Sequence, residues 1–208
     1  MKLRRLRGPV TVPVLTDDAG RVVADSTDIA RWADRRGAGP TLFPAEHAEA
    51  IATFSAMSER ALAAGRGLSL RRVRNDEDAL GELIPKALRR PLGRVGLRLA
   101  RSGVERSLRK YGAATIGDDA LEGALVAVLD ALRAKLALVG GDGAKTLCGS
   151  FSFADIAMTQ ALAYVEPPAF GLRLGRASRR AFTSADLRER YADLVAWRDE
   201  IYEKYRRK

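Results

Sequence analysis

Apolar and polar residues first alternate along the chain and then, from about residue 44 onwards, recur at the three- and four-residue spacing of amphipathic helices. Val10-Thr11-Val12-Pro13-Val14-Leu15 predicts a short strand, Asp17-Asp18-Ala19-Gly20 a turn in which glycine supplies a positive φ, and Arg21-Val22-Val23-Ala24 the returning strand. A short helix follows this hairpin directly. Ser26 is placed as its N-cap, Asp28 in its first turn, Ile29, Trp32 and Ala33 along one apolar stripe, and Arg35-Arg36-Gly37 at its basic end.

Gly37-Ala38-Gly39-Pro40 and Thr41-Leu42-Phe43-Pro44 form a turn-rich linker, beyond which no strand pattern returns. The boundary is placed there, with a first domain over 1–38 and a second over 44–208. Pro44 suits the first turn of a helix in which Ile51, Phe54, Met57, Ala61 and Leu62 keep helical spacing until Gly65. Asp118-Asp119 open another, carried by Leu121, Leu125, Val128, Leu129, Leu132 and Leu136 and ending at Gly140-Gly141. After Phe151, Ser152 and Asp155 stand at capping-box spacing at the start of a helix that Pro167-Pro168 ends. A last helix runs from Ser184 as N-cap through Leu187, Tyr191, Leu194, Val195 and Ile201. The sum is a mostly α chain, an α+β head on an all-helical body.

Composition narrows the chemistry. The 208 residues are enough to bury a core without disulfides or metals. Cys148 is the only cysteine and His47 the only histidine, so an internal disulfide, a zinc site and a Ser-His-Asp triad are not expected. Cys148 reads as a small packing residue and His47 as a surface residue. No apolar run reaches the roughly 18 residues needed to span a bilayer, and the basic stretch Met1 to Gly8 lacks a signal-peptide core, so a cytoplasmic protein is expected. Gly140 to Thr146 has Ala144 where a phosphate loop needs glycine before lysine, and reads as a connection between helices.

The net charge of +10 is concentrated, since residues 86–110 hold nine Lys or Arg against one acid, Glu105. Leu88, Leu92, Val95 and Leu99 share one helical stripe there, and Arg94, Arg98 and Arg101 occupy another face, with Pro91, Gly93, Gly96 and Gly103 interrupting the helix. Such a stretch suits an anionic membrane or nucleic acid. A solvated face of an elongated helical hairpin beside a substrate cleft is the simpler account, and recruitment of anionic co-substrates by the arginines is a third.

Two segments add a resemblance. Val12-Pro13-Val14-Leu15, the acidic turn, and Asp25-Ser26 opening a helix resemble the second half of the thioredoxin-like domain of the glutathione S-transferase superfamily. Ser152-Phe153-Ala154-Asp155-Ile156 resembles the capping motif in the core of that family's helical domain. In this order, with Leu42-Phe43-Pro44 between them, they make the chain similar to soluble bacterial members of the superfamily. The resemblance implies a partial thioredoxin-like α/β N-terminal domain followed by an all-α helical bundle, glutathione as co-substrate and no metal. It also implies an apolar electrophile held against the helical domain near Met57 and a homodimer; no nucleic-acid partner is expected. Pro13 is then expected to be cis, exposing the backbone of Val12 to pair with the cysteinyl part of glutathione. Ser26 would take the γ-glutamyl carboxylate at a helix N-terminus, and Asp25 would orient the same end. Ser152 and Asp155 remain structural.

The resemblance is partial. The strand, helix and second strand that open the family's first domain have no counterpart, nor does the Tyr, Ser or Cys that activates the glutathione thiol, so the catalytic residue is unknown. A hairpin alone is marginal and an open sheet edge invites aggregation, so the coding region is expected to start upstream; a degenerate relative is the other reading. The competing function is that of a non-catalytic binding or scaffold protein whose segment 86–110 contacts anionic partners, an anionic membrane surface among them.

Overall fold

The computed structural model describes residues 13–140, 145–169 and 171–206. The chain divides into two compact units, Met1–Ala48 and Glu49–Lys208.

In the first unit, two short strands pair antiparallel, β1 (Leu15–Thr16) and β2 (Val22–Val23), with Leu15 opposite Val23 and Thr16 opposite Val22. Val10 to Val12, assigned above to the first strand, lie outside the described residues. The connection turns at Gly20, whose φ of 78° disfavours a side chain. The Asp17 carboxylate locks it, accepting the Arg21 amide at 2.8 Å and the Arg21 guanidinium at 3.2 Å. Helix α1 (Ser26–Asp34) follows. Asp34 then draws the linker back onto α1, because its carboxylate accepts the Thr41 hydroxyl and the Leu42 amide, each at 2.7 Å. The Arg31 guanidinium lies 4.3 Å above the Phe43 ring and adds a cation–π contact.

Among its described residues the second unit has helices joined by loops and no strand. A 3-10 turn (Ala45–His47), in which His47 is half-buried rather than on the open surface, precedes α2 (Ala48–Asn75). This helix runs ten residues past Gly65, where the sequence pattern had suggested a stop. Glycine here serves close packing instead of termination: a Cβ at Gly65 would collide with Tyr164, and one at Gly67 would meet Leu121 Cδ1 at 2.9 Å.

There follow α3 (Glu77–Leu83), α4 (Lys86–Lys110), α5 (Asp118–Ala137) and α6 (Phe153–Ala161), then α7 (Arg176–Phe182), α8 (Ala185–Arg190) and α9 (Ala192–Tyr205). The stripe Leu121, Leu125, Val128, Leu129, Leu132 and Leu136 of α5 is buried along its whole length. Deleting the buried Leu129 side chain would cost about 2–5 kcal/mol. The two short helices α3 and α7 carry too few apolar positions for a periodicity to show, yet Ala79, Leu80, Ala177 and Ala181 join Val73, Val104 and Leu108 in one buried cluster.

The continuous helix expected from Ser184 is two helices. Tyr191 leaves the helical region with φ −117° and ψ 32°, its side chain is fully buried, and its hydroxyl donates to Asp130 of α5 at 2.6 Å. Anchoring that side chain bends the backbone. Helix α4 is also broken once, at Gly93 (φ 43°, ψ −126°), two residues after Pro91. Gly96 is by contrast buried within the helix, where an added Cβ would stand 3.0 Å from Ile84 Cδ1.

Candidate functional site

Pro13, Asp25 and Ser26 all belong to the first unit; Val12 lies outside the described residues. The register that sets Leu15 opposite Val23 carries Pro13, two residues before Leu15, and Asp25, two residues after Val23, to the same end of the hairpin. Pro13 is exposed there.

The cap of α1 is Asp25, not Ser26. Asp25 is extended (φ −109°, ψ 142°), and its Oδ1 accepts the amides of Thr27 at 2.8 Å and Asp28 at 3.2 Å. Aspartate and serine are comparable caps, and the extended backbone of Asp25 is what sets its carboxylate against these amides, at the positive end of the helix dipole. Ser26 therefore becomes the first helical residue, with an exposed side chain that takes no hydrogen-bond partner among the described residues. Asp25 Oδ2 is likewise without one. A free carboxylate oxygen and a free hydroxyl at a helix N-terminus suit a ligand end that carries both an ammonium and a carboxylate, as an α-amino acid does.

In the helical unit, Asp155 and Ser152 close a capping box at the start of α6. Asp155 Oδ2 accepts the Ser152 amide at 2.9 Å and its hydroxyl at 3.1 Å, and Oδ1 accepts the Leu147 amide at 2.8 Å, tying the preceding loop to the helix. Both side chains are fully buried. Burial pushes the Asp155 carboxyl above its ordinary value, and the three donors oppose that shift. The arrangement is a structural lock. Cys148, beside it in the chain, is buried and unpaired, and Met57 is buried on α2.

Three anchors escaped the sequence reading. Glu82 of α3 accepts the amides of Ala177 at 3.1 Å and Ser178 at 2.8 Å and so caps α7 from another helix. Arg198 is buried in α9, with Leu162 and Glu166 carbonyls as acceptors and Asp199 paired at 2.8 Å. The third is the Tyr191–Asp130 bond. Each joins residues more than thirty positions apart or sits inside an apolar stripe, and only an unexpected acid or base among apolar neighbours hints at it.

Among the described residues no group of three or more His, Cys, Asp or Glu is placed to hold a metal, and no helix is long and apolar enough to cross a membrane. The fold is mostly helical, with a two-stranded antiparallel sheet near its start. Residues 1–36 match the family model described as glutathione S-transferase, N-terminal domain, a span that contains Val12, Pro13, Asp25 and Ser26. That match supports membership of the glutathione S-transferase superfamily and is consistent with the mixed first unit and the helical second one. No curated protein and no solved structure matches the chain.

Proposed function

We propose that the chain is a glutathione transferase-type protein that binds glutathione through Val12, Pro13, Asp25 and Ser26 and joins its sulfur to an apolar electrophile. The observation that carries this reading is the family match over residues 1–36, the span in which Asp25 Oδ2 and the Ser26 hydroxyl are left free at the start of α1. The γ-glutamyl end of glutathione is an α-amino acid: its carboxylate goes to the Ser26 hydroxyl and the helix N-terminus, and its ammonium to Asp25. Conjugation requires the thiolate, so the S–H proton is lost first; the sulfur then forms the carbon–sulfur bond while the carbon–halogen bond of an aryl halide breaks and halide leaves with the electron pair.

Calorimetric titration with glutathione, and conjugation to a generic aryl halide, test the proposal. Asp25→Asn is the informative variant because asparagine retains the capping oxygen and removes only the charge. It is expected to weaken glutathione binding about tenfold with little change in melting temperature. No saturable binding by the parent chain, or equal affinity in Asp25→Asn and Ser26→Ala, would sink it. We further propose a cytoplasmic homodimer, for which sedimentation velocity on the purified chain gives the oligomeric state. The second reading, a non-catalytic protein that contacts anionic partners through α4, draws on the unpaired cations of that helix and predicts glutathione-independent binding.

A further inference from the structure

Helix α4 combines two surfaces that are seldom left together in water. Leu88, Val95 and Leu99 expose 46%, 56% and 61% of their surface, and Leu83 on the neighbouring α3 exposes 53%. Next to them runs an apolar groove of about 450 Å³ between α3, α4 and the end of α2, lined by Leu70, Ile84, Pro85, Leu92, Gly96 and Val104 among others. Leu83 and Leu99 border it as well.

Every charge of α4 is positive except Glu105, and most of these cations are not neutralised. Lys86, Arg90, Arg94, Arg98, Arg106 and Arg109 make no ion pair among the described residues. Arg89 and Arg101 are used differently, donating to the carbonyls of Ile84 at 3.0 Å and Arg74 at 3.3 Å, which fixes α4 against its neighbours. Val95 and Leu99 lie one turn apart on the exposed side of the helix, and Arg94 and Arg98 stand immediately beside them.

We propose that this face of α4 docks on an anionic lipid bilayer, with Leu88, Val95 and Leu99 entering the boundary between headgroups and acyl chains and the unpaired arginines holding lipid phosphates. The inference takes the anionic contact of the second reading and names its partner; it does not require the chain to lack catalysis. Charge complementarity points to an anionic surface. The exposed leucines then separate lipid from nucleic acid, because a phosphate backbone offers nothing to bury them against, whereas the acyl boundary does. A symmetric pairing of two copies through α4 would set arginine against arginine. Long arginine side chains also suit an interface, where the stem lies along apolar surface and the guanidinium stays with the headgroups.

The test is co-sedimentation of the full chain with sucrose-loaded vesicles, either pure phosphatidylcholine or containing about one-third phosphatidylserine, a composition rich enough in charge to engage a polybasic face. Binding is expected to the anionic vesicles and to fall with added salt. Val95→Ser with Leu99→Ser, and separately Arg94→Gln with Arg98→Gln, are each expected to lower the partition coefficient about tenfold or more. All four positions are exposed, and unchanged circular dichroism confirms the fold. Binding that the leucine-to-serine and valine-to-serine pair leaves intact would mean adsorption by charge alone and would overturn the proposal. Retention on heparin or an oligonucleotide without vesicle binding would overturn it while leaving the broader anionic-partner reading in place; absence of all three would remove both. Self-association that the Val95 and Leu99 changes abolish, with no vesicle binding, would assign the face to a second copy instead. Conjugation activity, measured in parallel, is expected to be unaffected by these variants, which keeps this outcome separate from that of the glutathione reading.

Discussion

Replacing Asp155 tests how much of the helical unit rests on a single buried carboxylate. Its two oxygens accept the Leu147 and Ser152 amides and the Ser152 hydroxyl at 2.8–3.1 Å, and Leu147, Ser152 and Asp155 are all buried. Asp155→Ala leaves two buried N–H groups without an acceptor, at about 1–3 kcal/mol each. Part of that loss is offset because the variant no longer buries a carboxylate. The net expectation is a destabilisation of about 3 kcal/mol. Asp155→Asn keeps one acceptor but turns an NH2 towards the other donor, for a loss of about 2 kcal/mol. Ser152→Ala keeps both carboxylate–amide bonds and loses about 1 kcal/mol. Urea unfolding followed by circular dichroism reads the order directly; with a slope of about 2 kcal/mol per molar urea, the alanine variant shifts the midpoint by about 1.5 M. A shift below about 0.3 M, or an asparagine variant equal to the parent, would refute the account. The pH dependence supplies a sign. Because burial raises the folded value, the native state binds the proton more readily than the unfolded chain. This group's contribution therefore improves as pH falls from the raised folded value towards the ordinary value of 3.8, and the deficit of Asp155→Asn is larger at the bottom of that window than at pH 7.

Gly65→Ala should destabilise the fold by about 1–3 kcal/mol although alanine is the better helix former by about 1 kcal/mol, because the new Cβ meets the base of the Tyr164 side chain; thermal unfolding checks the sign. Tyr191, pushed up to about 12 by burial and by its bond to Asp130, should be missing from the tyrosine ionisation seen by ultraviolet titration near pH 10. Stability should accordingly fall as pH rises from about 10 to about 12, and Tyr191→Phe should remove that slope. Glu82 is held below its usual range chiefly by its bond with Ser178, so its stabilisation is present above pH 4.5 and lost as pH falls through the lower folded value. Glu82→Gln should flatten that acid limb in unfolding experiments at pH 3–7.

What could be read from the residue pattern was whatever repeats locally. The α5 stripe and the Ser152–Asp155 spacing are properties of adjacent turns, and a helix of 20 residues shows its period several times over. The same logic failed at Gly65, because a glycine selected for contact with Tyr164, almost a hundred positions away, looks from the sequence like a helix end. It failed at Tyr191 for the opposite reason: the apolar pattern continues through a backbone break that exists to anchor one side chain to α5. In the candidate site, Asp25 and Ser26 are adjacent and both are good caps, and only the extended backbone of Asp25 decides between them. That decision changes the chemistry, since it frees the serine hydroxyl and commits one carboxylate oxygen.

Helix α4 is poorly built if folding alone is considered. Gly93 breaks it at a backbone geometry suited to glycine, Pro91 removes an amide, and Gly103 forgoes about 1 kcal/mol relative to alanine. Arg94 and Arg98 repel across one turn, and so do Arg106 and Lys110, at a few tenths of a kcal/mol each. Only Gly96, Val104 and Leu108 are buried along its length. The helix is held instead by its flanks: the apolar cluster with α3 and α7, and the carbonyl bonds of Arg89 and Arg101. A sequence under selection for stability alone would place acids among these arginines and polar residues at 95 and 99. Local rules broken together on one exposed face, while the opposite face packs normally, are what a binding surface produces.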